Sequence, residues 1–320
     1  MISRLFIVSL FSAALFSSCV TKKSTEKTDL EYPYQITTTV GMIADVIGEI
    51  VGDRAKVTNI IGTGIDPHSY LPATTDIEDL SSADVIFYNG LHLEGKLGAI
   101  LEKQAKHKPV IAVSESLTDY DIIDDASESD PHLWMDISAW MKVTENITTQ
   151  LSEFDPANAA TYRANSETYQ KRLVELDQYA RQSFASIPEN QRVLVTAHDA
   201  FSYLGRAYKM EVRGIQGIST ESKAGQRDIT ELVTFLVENN IPAIFVESSV
   251  PPRSVNAVIE GAKARGHPVK IGGSLFSDAM GPPNTYEGTY IGMLDHNITT
   301  ITKALGGMTH NKGLNEKLSD

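Results

Sequence analysis

The sequence has very little cysteine and no excess of basic charge. Its only cysteine among 320 residues is Cys19, so no disulfide can form within the chain and a thiolate metal site is excluded. The 28 Lys and Arg residues are outnumbered by 41 Asp and Glu residues, which gives a net charge of -13. Nucleic-acid binding relies on clustered basic residues that neutralise phosphates, so we expect no nucleic-acid partner.

Long apolar runs are also missing, except for a short one at the N-terminus. Arg4 precedes an apolar stretch over residues 5–16, which is too short to span a bilayer and is typical of a secretory signal. Ser17 and Ser18 then precede Cys19, a pattern that resembles a lipoprotein processing site. We therefore predict a signal peptide over residues 1–18, lipidation of Cys19 and a polar tether over residues 19–33.

The rest of the chain alternates between short β-rich runs and helical patterns. In the first half, strands are predicted over residues 35–40, 56–61, 84–88 and 110–113, and an apolar helical stripe follows the first of them. The same alternation returns after Pro188. This order predicts an α/β fold with parallel sheets flanked by helices.

One long helical pattern lies between the two alternating regions. Asp155 suits a helix N-cap and Pro156 the first helical position, and neither Gly nor Pro recurs before Pro188. We predict an N-terminal α/β lobe over residues 34–154, a linking backbone helix over 155–187 and a C-terminal α/β lobe over 188–320. Apolar residues recur along one face of this predicted helix, at Tyr162, Tyr169, Leu173, Leu176, Ala180 and Phe184.

Three histidines and one aspartate stand out by their positions. His68 and His132 each follow an Asp-Pro pair, His198 follows a predicted strand, and Asp278 lies shortly after another. Ligands of open α/β sheets bind beyond the carboxyl ends of the strands, so a cleft between the lobes could collect all four side chains. Three imidazoles and a carboxylate suit zinc and other late first-row metals. Taken singly, each histidine is more often a solvated or capping residue.

The remaining histidines and an acidic segment lack this context. The segment over residues 119–130 carries six carboxylates and is interpreted as a solvated loop, with weak attraction of cations as the alternative. Five histidines are assigned to the surface or to core packing, namely His92, His107, His267, His296 and His310.

Several motifs together resemble the TroA-like solute-binding lipoproteins of metal ABC importers. They include residues 66–70 (DPHSY), 88–96 (YNGLHLEGK), 130–136 (DPHLWMD), 196–201 (TAHDAF), 217–221 (GISTE) and 277–281 (SDAMG). The resemblance runs from about Gln35 to Leu305. It implies two α/β lobes joined by a rigid helix, with a metal held between them by His68, His132, His198 and Asp278.

The resemblance also implies a function and partners. The expected protein is a non-enzymatic, extracytoplasmic and membrane-anchored lipoprotein, periplasmic or at the cell surface, which acts as a monomer. It would capture zinc or manganese as a transported ligand and deliver it to an ABC permease and its ATPase. Relatives often carry Glu where this chain has His198, and those relatives are associated with manganese, so the histidine favours zinc or dual use.

Two other functions fit parts of the sequence. A zinc hydrolase would use three protein ligands and an open water position, with Glu247 as a possible general base, but four candidate ligands argue against an open site. A surface adhesin would explain the anchor at Cys19 and leave the histidines unexplained. For metal capture we expect affinity to fall as the pH drops through about 6.5, because binding needs neutral imidazoles.

Overall fold

A computed structural model of the chain describes residues 30–118, 121–124 and 129–319. In it, four strands from the first half of the chain form one parallel sheet. Counted in sequence order, the second strand lies at one edge of the sheet, followed by the first, the third and the fourth. The strands are β1 (Tyr34–Val40), β2 (Ala55–Ile61), β3 (Val85–Tyr88) and β4 (Val110–Ala112), and the helices between them are α1 (Gly41–Val51), α2 (Thr74–Ser82) and α3 (Gly98–Gln104). The predicted signal peptide and lipidated Cys19 lie outside the described residues.

The apolar stripe of α1 explains why this helix packs on the sheet. All six of its apolar positions are buried, because they recur at helical spacing on one face. The sequence pattern did not predict α2, a short helix with few apolar residues.

The second half of the chain contains two parallel strand pairs, and strands of the two pairs contact each other. The strands are β5 (Val193–His198), which pairs with β6 (Glu211–Gln216), and β7 (Ala243–Glu247), which pairs with β8 (Lys270–Leu275). Four more helices pack around them: α6 (Ser202–Tyr208), α7 (Gln226–Glu238), α8 (Arg253–Ala264) and α9 (Tyr290–Ala304). The α/β fold with parallel sheets that the sequence predicted is therefore present.

Two long helices, α4 (Ile137–Phe154) and α5 (Ala159–Ala185), lie between these strand groups along the chain. The apolar stripe predicted for α5 is buried along its whole length. The predicted N-cap was wrong, because Asp155 ends α4 and Asn158 precedes α5. The Asp155 carboxylate instead accepts hydrogen bonds from the hydroxyls of Tyr32 and Tyr162, at 2.7 and 2.6 Å.

Helix α5 contacts elements from both ends of the chain, since it packs on α1, α4 and α9. Residues Tyr32–Asp320 form one compact unit. For description we call residues 34–154 the N-terminal half and residues 188–319 the C-terminal half. The lobe boundaries at residues 154/155 and 187/188 stay a prediction. Within the described ranges, no helix combines the length and the apolar character that crossing a membrane requires.

Candidate metal centre

Four buried side chains meet at one point between the two halves. One ligand atom from each of His68, His132, His198 and Asp278 lies within 4.8 Å of all the others. His68 Nε2 is 3.3 Å from His132 Nε2. The two carboxylate oxygens of Asp278 lie 3.3 Å from His132 Nε2 and 3.3 Å from His198 Nε2. The structure therefore brings together all four residues that the sequence pattern singled out.

His68 is positioned by a turn that follows β2. Asp66, two residues earlier, accepts the backbone N–H of His68 at 2.9 Å and the hydroxyl of Ser69 at 2.8 Å. Such carboxylate-to-backbone bonds are typical of an Asp that initiates a turn, which the Asp-Pro pair suggested. The turn fixes the backbone at His68 and directs its ring towards the other histidines.

His132 follows the same local design and is more deeply enclosed. Asp130 accepts both the backbone N–H of His132, at 2.9 Å, and its ring Nδ1–H, at 2.7 Å. Asn89, just beyond β3, donates to the carbonyl of Pro131 at 2.9 Å. Asp136 then caps α4 by accepting the N–H groups of Ser138 and Ala139. These bonds on both sides fix the ring with Nε2 facing the site.

His198 is the last residue of β5, and Glu247 is the last residue of the neighbouring β7. Glu247 Oε1 accepts the backbone N–H of His198 at 2.9 Å, and Oε2 accepts its ring Nδ1–H at 2.5 Å. Strands β5 and β7 contact each other, and the carboxylate at the end of β7 lies beside the ring at the end of β5. A carboxylate on Nδ1 fixes the tautomer that leaves Nε2 as the metal-facing atom.

Asp278 lies three residues beyond β8, on a loop that is held in place by hydrogen bonds from Ser249 and Trp134. The hydroxyl of Ser249 donates to Asp278 Oδ2 at 3.2 Å, and Trp134 Nε1 donates to the backbone carbonyl of Ser277 at 2.8 Å. Trp134 also stands beside the His132 ring, with 5.4 Å between ring centroids. The indole therefore couples the loop of Asp278 to the segment of His132.

Two polar atoms at this point lack a hydrogen bond within the part of the chain that the structure describes. They are His198 Nε2 and Asp278 Oδ1, and both are buried. An unsatisfied buried polar atom costs about 1–3 kcal/mol, so natural structures rarely keep one without a reason. Each lies 3.3 Å from another polar atom of the group, His198 Nε2 from Asp278 Oδ2 and Asp278 Oδ1 from His132 Nε2, so a cation among these atoms would satisfy both.

The pKa values of these groups follow from burial opposed by local charge. Burial dominates at His68 and lowers its pKa to about 4. Burial also lowers the pKa of His132, but the carboxylates of Asp130 and Asp278 together outweigh it and raise that pKa to about 9. At His198, burial is likewise outweighed by two carboxylates, Glu247 and Asp278, which hold its pKa well above the usual range. The positive rings in turn hold the pKa of the Asp278 carboxyl well below its usual range.

The other histidines lie outside this group, as the sequence predicted. His92 is exposed, at a backbone φ of 62°. The rings of His267 and His296 donate to the backbone carbonyls of Ile241 and Ser274, at 2.8 and 2.9 Å. His107 and His310 are exposed.

The sequence analysis assigned no role to Asp66 and Asp130, the two carboxylates that hold ligand backbones. A usable signal was present, because each precedes a candidate histidine by two residues, in Asp-Pro-His. In sequence, Asp-Pro indicates a turn, which is compatible with a ligand in the following residue. In the structure the Asp is the group that holds the turn and, at His132, also the ring.

Comparisons with known proteins agree with this geometry. Residues 36–304 match the model of the family described as ZnuA, the periplasmic zinc-uptake complex component A. The manganese-binding lipoprotein MntA of Bacillus subtilis is 46% identical over 298 residues, which cover 92% of this chain and 97% of that protein. The metal ABC transporter substrate-binding lipoprotein FimA of Streptococcus parasanguinis is 32% identical, covering 93% of this chain and 97% of FimA.

A solved structure is similar in both sequence and fold. The zinc-binding protein TroA of Treponema pallidum is 44% identical over 271 residues, which cover 84% of this chain and 88% of that protein. Its structure superposes with a TM-score of 0.84 and covers 85% of this chain and 99% of the solved one. The fold described above is therefore the TroA fold.

Proposed function

The chain belongs to the ZnuA family of metal-binding transport components, and from this membership we propose that it captures zinc or manganese outside the cytoplasm for an ABC importer. The permease would receive the ion, and the associated ATPase would drive its uptake. FimA, named as a substrate-binding lipoprotein of a metal ABC transporter, supports these partners. We expect the protein to act as a monomer.

The observation that carries this proposal is the convergence of three imidazoles and one carboxylate in a buried site. The four donor atoms lie within 4.8 Å of one another, which leaves room for one ion bound by His68, His132, His198 and Asp278. Neutral nitrogen donors and one anionic oxygen suit both zinc and manganese. The relatives point to both metals, since MntA is named for manganese and TroA for zinc.

Metal titration tests the proposal directly. Metal-free protein should bind one equivalent of zinc, and separately one of manganese, by calorimetry. Zinc should win a direct competition, because the affinity order of divalent metals favours it. His198→Ala should lose most of the affinity for either ion, since it removes one donor. His92→Ala is the matched control, because this exposed histidine contacts none of the four side chains. Equal losses in both variants, or no stoichiometric binding at all, would contradict the proposed site.

Metal capture without turnover is also favoured by the position of Glu247. A hydrolase needs a free general base beside a metal-bound water. Both oxygens of Glu247 are engaged by His198, one on the backbone and one on the ring. We therefore infer that Glu247 supports a ligand and that the protein is not an enzyme.

We further propose that the mature chain begins at lipidated Cys19 and is tethered to a membrane by residues 19–33. The relatives named as lipoproteins support the anchor. Cys19→Ala should move the protein from the membrane fraction to the soluble fraction, because the acyl chains hold it at the bilayer. Unchanged fractionation would show that Cys19 does not anchor the chain.

A further inference from the structure

The four candidate ligands differ in how firmly they are attached to the C-terminal half. His198 and Asp278 belong to that half. His132 belongs to the N-terminal half, yet the backbone on both sides of it is hydrogen-bonded to side chains of the C-terminal half. Tyr203 donates its hydroxyl to the carbonyl of Asp130, and Tyr290 donates its own to the carbonyl of Trp134, both at 2.8 Å. His198 and Asp278 are thus part of the C-terminal half, and His132 is held to it by buried hydrogen bonds.

The loop that carries His68 has fewer bonds to the C-terminal half, and they are only partly buried. Asp66 Oδ2 accepts the hydroxyl of Thr220 at 2.5 Å. Thr63 donates to the carbonyl of Gly281 at the longer distance of 3.3 Å. The side chain of Asp66 is only partly buried, unlike Asp130, so the bond to Thr220 lies close to solvent.

Thr220 belongs to a loop of the C-terminal half that contacts the N-terminal half beside His68. We name this loop, residues 217–225 between β6 and α7, the crossing loop. Glu221, the residue after Thr220, forms an ion pair with Lys96 of the N-terminal half at 2.7 Å. Each of these two side chains is 47% exposed. Two neighbouring residues of one loop therefore hold the N-terminal half at the edge of the metal site.

The exposure of the ligands points to the same edge. His68 retains 6% of its surface, whereas His132 and His198 retain none and Asp278 retains 2%. His68 is therefore the least enclosed of the four candidate ligands. It is also the one whose loop is bonded to the crossing loop.

We propose that Thr220 is a positioning residue for His68, and that the Asp66–Thr220 and Lys96–Glu221 contacts form a latch that controls metal release. The inference rests on the proposed function. It assigns His68 as the ligand that departs first, with the other three still in place. Thr220 acts through Asp66, which holds the backbone N–H of His68.

The latch is expected to control the dissociation rate more than the fold. Without the Thr220 hydroxyl, Asp66 still accepts from Ser69 and from His68, so the turn remains formed. Only the hydrogen bond between Asp66 and Thr220 is lost. A hydrogen bond to a carboxylate contributes more than an exposed ion pair, so the change at Thr220 should have the larger effect.

The experiment measures zinc dissociation from the full chain by stopped flow, with a chromophoric chelator in excess. Thr220→Val should raise the dissociation rate about tenfold, equivalent to about 1.4 kcal/mol. Thr220→Ser keeps the hydroxyl and should stay within about twofold of the wild type. Glu221→Gln and Lys96→Met should each raise the rate about threefold, and equally, because they break the same pair.

Two substitutions on α7 serve as matched controls. Thr230→Val removes a hydroxyl that bonds only to its own helix, and Glu231→Gln breaks an exposed ion pair with Arg227. Neither should change the rate. If Thr220→Val released zinc no faster than Thr230→Val while binding one equivalent, the latch would be refuted and the metal site would stand. Should Thr220→Val fail to fold, equal rates for Glu221→Gln and Glu231→Gln would refute the latch. A wild-type chain that bound no zinc would overturn the proposed function itself.

Discussion

At the scale of single residues, two of the three imidazoles carry a carboxylate on the ring nitrogen that faces away from the site. Asp130 holds His132 in this way, and Glu247 holds His198. Such carboxylates orient the ring and increase its basicity, and removing one typically costs 10- to 100-fold in metal affinity. The candidate metal site therefore includes these two carboxylates as well as the four candidate ligands.

Glu247→Gln tests this arrangement with little change in shape. A glutamine offers one oxygen for the two N–H groups that Glu247 accepts, and it removes the negative charge. We expect zinc affinity to fall about 10- to 100-fold in a chelator competition. Glu231→Gln, on the exposed face of α7, should leave the affinity unchanged. An affinity equal to that of the wild type would show that Glu247 only packs against the ring.

The raised pKa values of His132 and His198 determine whether metal affinity rises or falls with pH. Because the pKa of His132 is raised to about 9, its ring is protonated at pH 7 in the metal-free protein. A metal ion must displace that proton, so affinity should increase as the pH rises towards 9. The gain should be about tenfold per pH unit for each proton displaced. His68, with its pKa lowered to about 4, should contribute nothing above pH 6.

The measurement is zinc affinity between pH 6 and pH 8, together with calorimetry in two buffers of different ionisation enthalpy. Binding should release at least one proton at pH 7. His92→Ala should show the same slope as the wild type. A flat affinity, with no proton release, would mean that the carboxylates do not hold protons on the rings.

The residue pattern predicted which side chains lie together but not how they titrate. Asp-Pro-His repeats and strand-end positions pointed to four side chains that the structure brings together. The pattern alone gave one expected transition near pH 6.5 for all histidines. The structure separates them, because neither the burial of His68 nor the pairing of His198 with Glu247, 49 residues away, can be seen in local sequence.

At the scale of elements, the long helix α5 was the easiest to predict and its surroundings were the hardest. Its buried stripe has a regular helical period, and neither Gly nor Pro interrupts it. Helix α4 was missed, since its many β-branched residues weaken the helical pattern that its buried face follows. Asp155 was misassigned because an Asp before Pro suits an N-cap, whereas here it binds tyrosine hydroxyls.

The stripe of α5 provides a stability test with an internal control. Leu173 is fully buried, whereas the next residue, Val174, is 42% exposed. Leu173→Ala should lower the free energy of unfolding by about 2–5 kcal/mol, because it leaves a cavity in the core. Val174→Ala should change it by less than about 0.5 kcal/mol. Urea unfolding of both variants is the measurement, and equal losses would show that α5 packs only loosely on its neighbours.

At the scale of the whole molecule, α5 contacts α1 from the first half of the chain and α9 from the second. A single helix that packs on both resists the hinge motion that short linkers allow. We expect small-angle scattering of the lipid-free protein to give a radius of gyration of about 19 Å. Adding or removing zinc should change that radius by less than about 0.5 Å. A larger change would show that α5 does not hold the halves at a fixed spacing.

The unequal burial of the four candidate ligands has a consequence for the proposed order of release. If His68 leaves first, three donors would still hold the ion while one coordination position faced the outside. An acceptor could then add its own donors one at a time, so that the ion would be exchanged directly between two coordination spheres. Transfer by this route would accelerate with acceptor concentration, whereas escape through free solution would proceed at a constant rate. A tightly binding carrier of this kind would unload quickly at its proper destination and remain loaded elsewhere.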